Sequence, residues 1–123
     1  MRFFKNGPFQ RDLKDNKIDD ESIKIVLGDI FEGRAISLGS KLYKIRGAVE
    51  GTGKSGGFRS LFFWKKDKFI VFCLLFTKNE QDNLSPDEGK ALKMLSKEYD
   101  NLTENDIKQR IENRSFTEVK YEK

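Results

Sequence analysis

The chain has no histidine. That rules out Ser-His-Asp chemistry, histidine-ligated zinc and imidazole acid–base catalysis. It has a single cysteine, Cys73, so an internal disulfide and a cysteine-rich metal site are ruled out too. Cys73 sits in the apolar run FIVFCLLF at 69–76, where low polarity raises a thiol's pKa and leaves it inert, so a core thiol is expected. There are two prolines and no low-complexity tract, which argues against long disorder. No stretch comes near the roughly eighteen apolar residues of a membrane span, and the N-terminus carries no apolar signal-peptide segment. A cytoplasmic protein without membrane contact is the expectation.

What is present is a phenylalanine-rich, basic chain. Its 123 residues are 37% hydrophobic and include 11 Phe, enough for one domain over 1–123 with a real core. The net charge of +4 is unevenly spread. Residues 41–68 hold Lys41, Lys44, Arg46, Lys54, Arg59, Lys65, Lys66 and Lys68 against only Glu50 and Asp67, giving this segment +6 and the remainder −2. A basic segment in a mildly acidic frame is the electrostatic footprint of a phosphate partner, or else a lysine-rich solvated surface.

The apolar period divides the chain. Arg2 to Phe4 reads as a short strand, interrupted at Gly7-Pro8, and Phe9 to Leu13 as a weak helical start. Residues 19–32 are helical: Asp19 or Asp20 caps, Ile23, Val26, Leu27, Ile30 and Phe31 form one face, and Gly33 stops the helix. KLYKIR at 41–46 then alternates, with Tyr43 and Ile45 on one face and Lys44 and Arg46 on the other. A glycine-rich loop at 50–57 leads into FRSLFFW at 58–64. The turn Lys65-Lys66-Asp67-Lys68 connects this to FIVFCLLF, whose two apolar faces suggest a central strand. Ser85-Pro86-Asp87-Glu88 is a capping box, and Leu92, Leu95 and Tyr99 mark a core face with Ala91 beside it. Thr103 to Asp106 opens a second helix, stapled by Leu102 and Ile107, and Phe116 to Lys120 reads as a last strand. The fold class is α+β: helices, an antiparallel sheet, then helices.

One motif is set aside. AVEGTGKS at 48–55 fits a relaxed phosphate-loop pattern, but such a loop must open a helix, and here Gly56-Gly57 and an aromatic strand follow. No nucleotide cofactor is expected. The carboxylate pairs Asp19-Asp20 and Asp87-Glu88 stand at helix starts, where capping accounts for them. Tyr43, Phe62 and Trp64 alternate as core residues do.

A Lys/Arg site is what remains, and it suits one reaction. RNA carries its own nucleophile in the 2′-OH, so a protein that positions the strand and offsets phosphorane charge needs neither metal nor cofactor. Arginine binds phosphate oxygens in bidentate fashion, and a carboxylate, a neutral lysine or a tyrosine moves the protons. Lys44 and Arg46 share a strand face, Lys54 lies in the glycine-rich loop, Arg59 opens the next strand, and Lys78 and Glu80 follow the most buried strand.

Three stretches carry a resemblance. KLYKIR, the loop GTGKSGGFR at 51–59 and the junction beginning KNEQDNLSPDEGK at 78 occur in the order found in the RelE/HigB-like toxins of bacterial type II toxin–antitoxin pairs. The chain resembles that family over about half its length. The resemblance implies a compact RelE-like antiparallel sheet with N-terminal helices packed on it and C-terminal helices. It implies metal-independent mRNA cleavage on the ribosome and an antitoxin partner of helix-turn-helix type. By position it implies that Arg59 and Lys78 are the cations nearest the scissile phosphate, with Lys44, Arg46 and Lys54 holding RNA. Relatives place a histidine or tyrosine near the end of the last long strand. Thr77-Lys78-Asn79-Glu80 stands there instead, so Glu80 becomes the candidate for proton transfer. Two rivals remain: a gyrase inhibitor on the same fold, as in ParE-like relatives, and a non-toxic basic RNA-binding module.

Overall fold

The structure is a computed structural model, and it describes residues 1–48, 57–77 and 83–122. Among these, six strands form one sheet and four helices cover its two faces. β1 (Arg2–Asn6) runs directly into α1 (Gly7–Asp15), because the Asn6 side chain accepts from the Phe9 N–H and Pro8 tolerates the first turn. The helix start read as weak at Phe9 is therefore a full helix begun by a cap. α2 (Asp20–Phe31) follows, with Asp19 as its cap and Gly33 in the left-handed region just past its end.

β2 (Ile36–Gly39) and β3 (Leu42–Gly47) form a tight hairpin, with Ser40 and Lys41 both at positive φ as a primed turn demands. β4 (Phe58–Lys65) and β5 (Phe69–Thr77) form the long hairpin. α3 (Pro86–Asp100) begins with the expected capping box at Ser85 and Glu88. α4 (Glu104–Glu112) has its own at Thr103 and Asp106, and β6 (Phe116–Glu118) closes the chain's secondary structure. No helix among the described residues is long and apolar enough to cross a membrane.

The strand order is β2-β3-β4-β5-β1-β6, which makes β5 central, as its two apolar faces suggested. Ile70, Phe72 and Leu75 enter the core beneath α1 and α2, while Val71, Cys73 and Phe76 enter the core beneath α3 and α4. Burial among these side chains pushes the Cys73 thiol up to about 12, so it is inert at neutral pH.

Three expectations need correction. The sheet is not wholly antiparallel: β1 pairs parallel with β5, since the helices that follow it carry the chain away before the long hairpin forms. The order is accordingly strand, helices, sheet, helices, with the first strand inside the sheet. β2 was not anticipated, because all four of its residues are exposed and show no buried face. Ala91 is exposed, and Ser96 takes the inward place on α3, donating to the Lys93 carbonyl.

The end of the sheet that carries the cations is fixed by neighbouring helices. β1 accompanies β5 only as far as Phe72, and beyond it the Leu75 N–H donates to the Asp12 carboxylate of α1. That N–H is thus satisfied without another strand. At the other end of β3 and β4, Asp100 at the close of α3 meets Lys41 at 2.8 Å and Lys65 at 3.4 Å, and the Tyr99 ring packs edge-on against Phe63.

Candidate nucleic-acid interface

Alternation along β3 and β4 sorts their side chains between the two cores. Tyr43 and Ile45 pack toward α1 and α2, together with Phe58, Phe62 and Trp64 from β4. Lys44 and Arg46 therefore face the α3 side, as the sequence pattern expects, and Arg59, Leu61 and Phe63 face the same way. The register brings two charges together. Arg46 is the direct partner of Arg59, and Lys44 is the partner of Leu61, one diagonal step away.

Directly opposed residues hold their Cβ atoms about 5 Å apart, and diagonal ones about 7–8 Å. Like charges so opposed destabilise a strand pair unless an anion lies between them. No ion pair among the described residues engages Lys44, Arg46 or Arg59. At the other end of the same strands, Lys41 and Lys65 share Asp100. The Arg59 guanidinium is half-buried, and its Nη1 is shielded from water with no acceptor among the described residues. Ser60 Oγ and Trp64 Nε1 are orphaned as well, but both belong to the opposite face and neither is charged. A shielded guanidinium nitrogen without an acceptor is costly, and a phosphate oxygen would satisfy it.

Beside Arg59 lies a pocket of about 200 Å³. Lys44 and Arg59 supply its cations, and Leu38, Leu61, Phe76 and Leu84 its apolar walls. Asn83, just before α3, lies at its rim and is exposed. The volume falls below the roughly 300–1,000 Å³ of sites that hold drug-sized ligands. Larger hollows of about 470 and 630 Å³ lie beside α4, but Glu104 lines both of them, and the Arg2 they share is already bound by Glu118 through two contacts of 2.9 Å. Among the described residues the first site carries cations with no acid paired to them, and the others carry mixed charge.

The structure thus brings together Lys44, Arg46 and Arg59. Lys54, Lys78 and Glu80 lie outside the described residues, as does the phosphate-loop-like string from Val49 onward. The strand that follows that string is β4, where a phosphate loop would open a helix. Thr77, the residue before Lys78, pairs with Phe58, the residue before Arg59. Sequence reasoning missed Leu38, Phe76, Asn83 and Leu84 as parts of this site. The signal for the first was available: Ile36 and Leu38, then Gly39-Ser40-Lys41, then Leu42 is the pattern of two short strands around a turn.

A mixed sheet between two helix layers, with cations that no described acid pairs gathered at one end, defines a small basic α+β protein. The chain belongs to the RelE family: residues 1–119 match the RelE toxin of the RelE/RelB toxin–antitoxin system. It is thus the toxin member of such a pair, and the family implies an antitoxin partner. No protein with curated annotation matches it significantly.

Proposed function

We propose that this toxin is a ribosome-dependent mRNA endoribonuclease that works without a metal, acting in the cytoplasm as one domain over its whole length. The observation that carries the reading is the opposed pair Arg46 and Arg59, with Lys44 beside it, none of them ion-paired among the described residues and two of them, Lys44 and Arg59, lining a pocket. In this reading the scissile phosphate lies against Arg59, whose guanidinium donates to its oxygens. The neighbouring 2′-OH attacks phosphorus, the bond to the 5′-oxygen breaks, and a 2′,3′-cyclic phosphate results. Arg59 and Lys78 offset the charge that builds on the phosphorane. Glu80 takes the proton from the 2′-OH, and the Lys78 ammonium supplies one to the departing 5′-oxygen. Lys44, Arg46 and Lys54 hold the flanking strand through phosphates, and a helix-turn-helix antitoxin restrains the toxin.

The test is inducible expression in bacteria of wild type and Arg59→Ala, with transcript ends mapped after induction. Growth arrest with new ends inside coding regions is expected for wild type, and neither for a folded Arg59→Ala. Arrest with intact transcripts and damaged DNA would replace the nuclease with a gyrase inhibitor. Normal growth with soluble wild-type protein would leave a basic RNA-binding module.

A further inference from the structure

The pocket beside Arg59 has a feature that phosphate binding does not use. Its walls are apolar, and one of them comes from the exposed edge strand β2. The β2–β3 register shifts between Ser37, opposite Tyr43, and Gly39, opposite Leu42, so Leu38 is the extra residue of a bulge. Bulges re-aim a side chain, and this one sends Leu38 into the pocket with Lys44 and Arg59. Gly39, Ser40 and Lys41 all have positive φ, as the tight turn between β2 and β3 requires. Lys41, in the same turn, also contacts Asp100 at the end of α3. Leu38 remains 38% exposed, so its apolar surface is open to a ligand.

A phosphate needs cations and amides, not leucines. An unstacked nucleobase needs an apolar slot next to a phosphate site, with guanidinium and amide groups at hand for its faces and edges. Leu38, Leu61, Phe76 and Leu84 line the pocket together with Lys44 and Arg59, in a space of about 200 Å³ that suits a single base. We propose that this pocket receives one base of the RNA next to the scissile phosphate, and that Leu38 sets which base is preferred there. The proposal rests on the ribonuclease reading above.

The experiment maps transcript ends in cells expressing wild type, Leu38→Ala, Leu38→Met or Leu38→Phe, with the melting temperature of each purified protein checked. Wild type is expected to favour one class of base at a fixed position beside the cut. Leu38→Ala lowers that preference about tenfold, the size expected from losing part of one leucine's apolar contact. Leu38→Met restores it, and Leu38→Phe, by narrowing the slot, shifts it toward pyrimidines. If Leu38→Ala does not fold, the Leu38→Phe shift decides. Cutting by wild type without base preference at any fixed position, or a preference that the folded variants leave unchanged, overturns the base pocket while the nuclease stands. Absence of cut transcripts from wild type overturns both.

Discussion

The two ends of the α3-facing side of β3 and β4 are built from the same strands and behave as opposites. At one end Leu42 faces Phe63, Tyr99 lies over them, and Lys41 and Lys65 are tied to Asp100. Four residues along, about 13 Å at the usual strand rise, Arg46 faces Arg59 with no acid paired to either among the described residues. The first end ties two of its cations to one acid and buries its rings. The second has cations with no described acid paired to them and a half-open pocket.

The comparison predicts separable defects. The largest concerns activity: Arg59→Ala is expected to lower cleavage at least about 100-fold, as loss of a group that stabilises transition-state charge does. Its unfolding midpoint should stay close to wild type, because the residue gives up an opposed like charge. A strongly destabilised Arg59→Ala would make the cationic end structural and break the comparison.

Phe63→Ala should do the reverse. Phe63 is fully buried at the covered end, so its removal costs about 3–5 kcal/mol in denaturant unfolding. Cleavage per folded molecule is expected to stay unchanged. Gly47→Ala tests the point where packing and site meet. An added Cβ would overlap the ring of Phe58, the fully buried residue immediately before Arg59. Overpacking of this kind costs about 1–3 kcal/mol, and the displaced β4 should lower activity as well, so both assays should move together.

The smallest effect belongs to Asp100→Asn. The hydrogen bond from Lys41 holds the Asp100 carboxyl below the usual aspartate value of 3.8. A depressed folded pKa adds stability that is fully present above the unfolded value and is lost as the pH falls through the folded one. Asp100→Asn should therefore melt slightly earlier than wild type at neutral pH, with the difference vanishing in strong acid. The shift should be slight because the pair is solvent-exposed and screened. A difference that persists in acid would mean that the contact stabilises by something other than charge.

Much of this architecture was legible because local signals agreed with one another. The caps at Asp19, Ser85 and Thr103 mark helix starts by chemistry acting within four residues. The double-sided apolar run at 69–76 announced a central strand, and the alternation at 41–46 put Lys44 and Arg46 on one face. β2 escaped notice because an edge strand with four exposed residues buries no face, so only the short alternation of Ile36 and Leu38 before the turn marks it. The parallel pairing of β1 with β5 joins residues more than sixty positions apart, and nothing local encodes it.

The sequence by itself pointed to the family. The absence of histidine, the lone cysteine and the crowding of cations into residues 41–68 made a phosphate partner the expectation, and the ordered motifs resemble those of the RelE-like toxins to which the chain belongs. Tertiary structure decided which of the described cations meet. Alternation assigns a side chain to a face, but only the register of β3 against β4 sets Arg46 opposite Arg59. Only the bulge in β2 turns Leu38 toward them. Register and bulges are settled by contacts between strands, so they come into being when the sheet assembles.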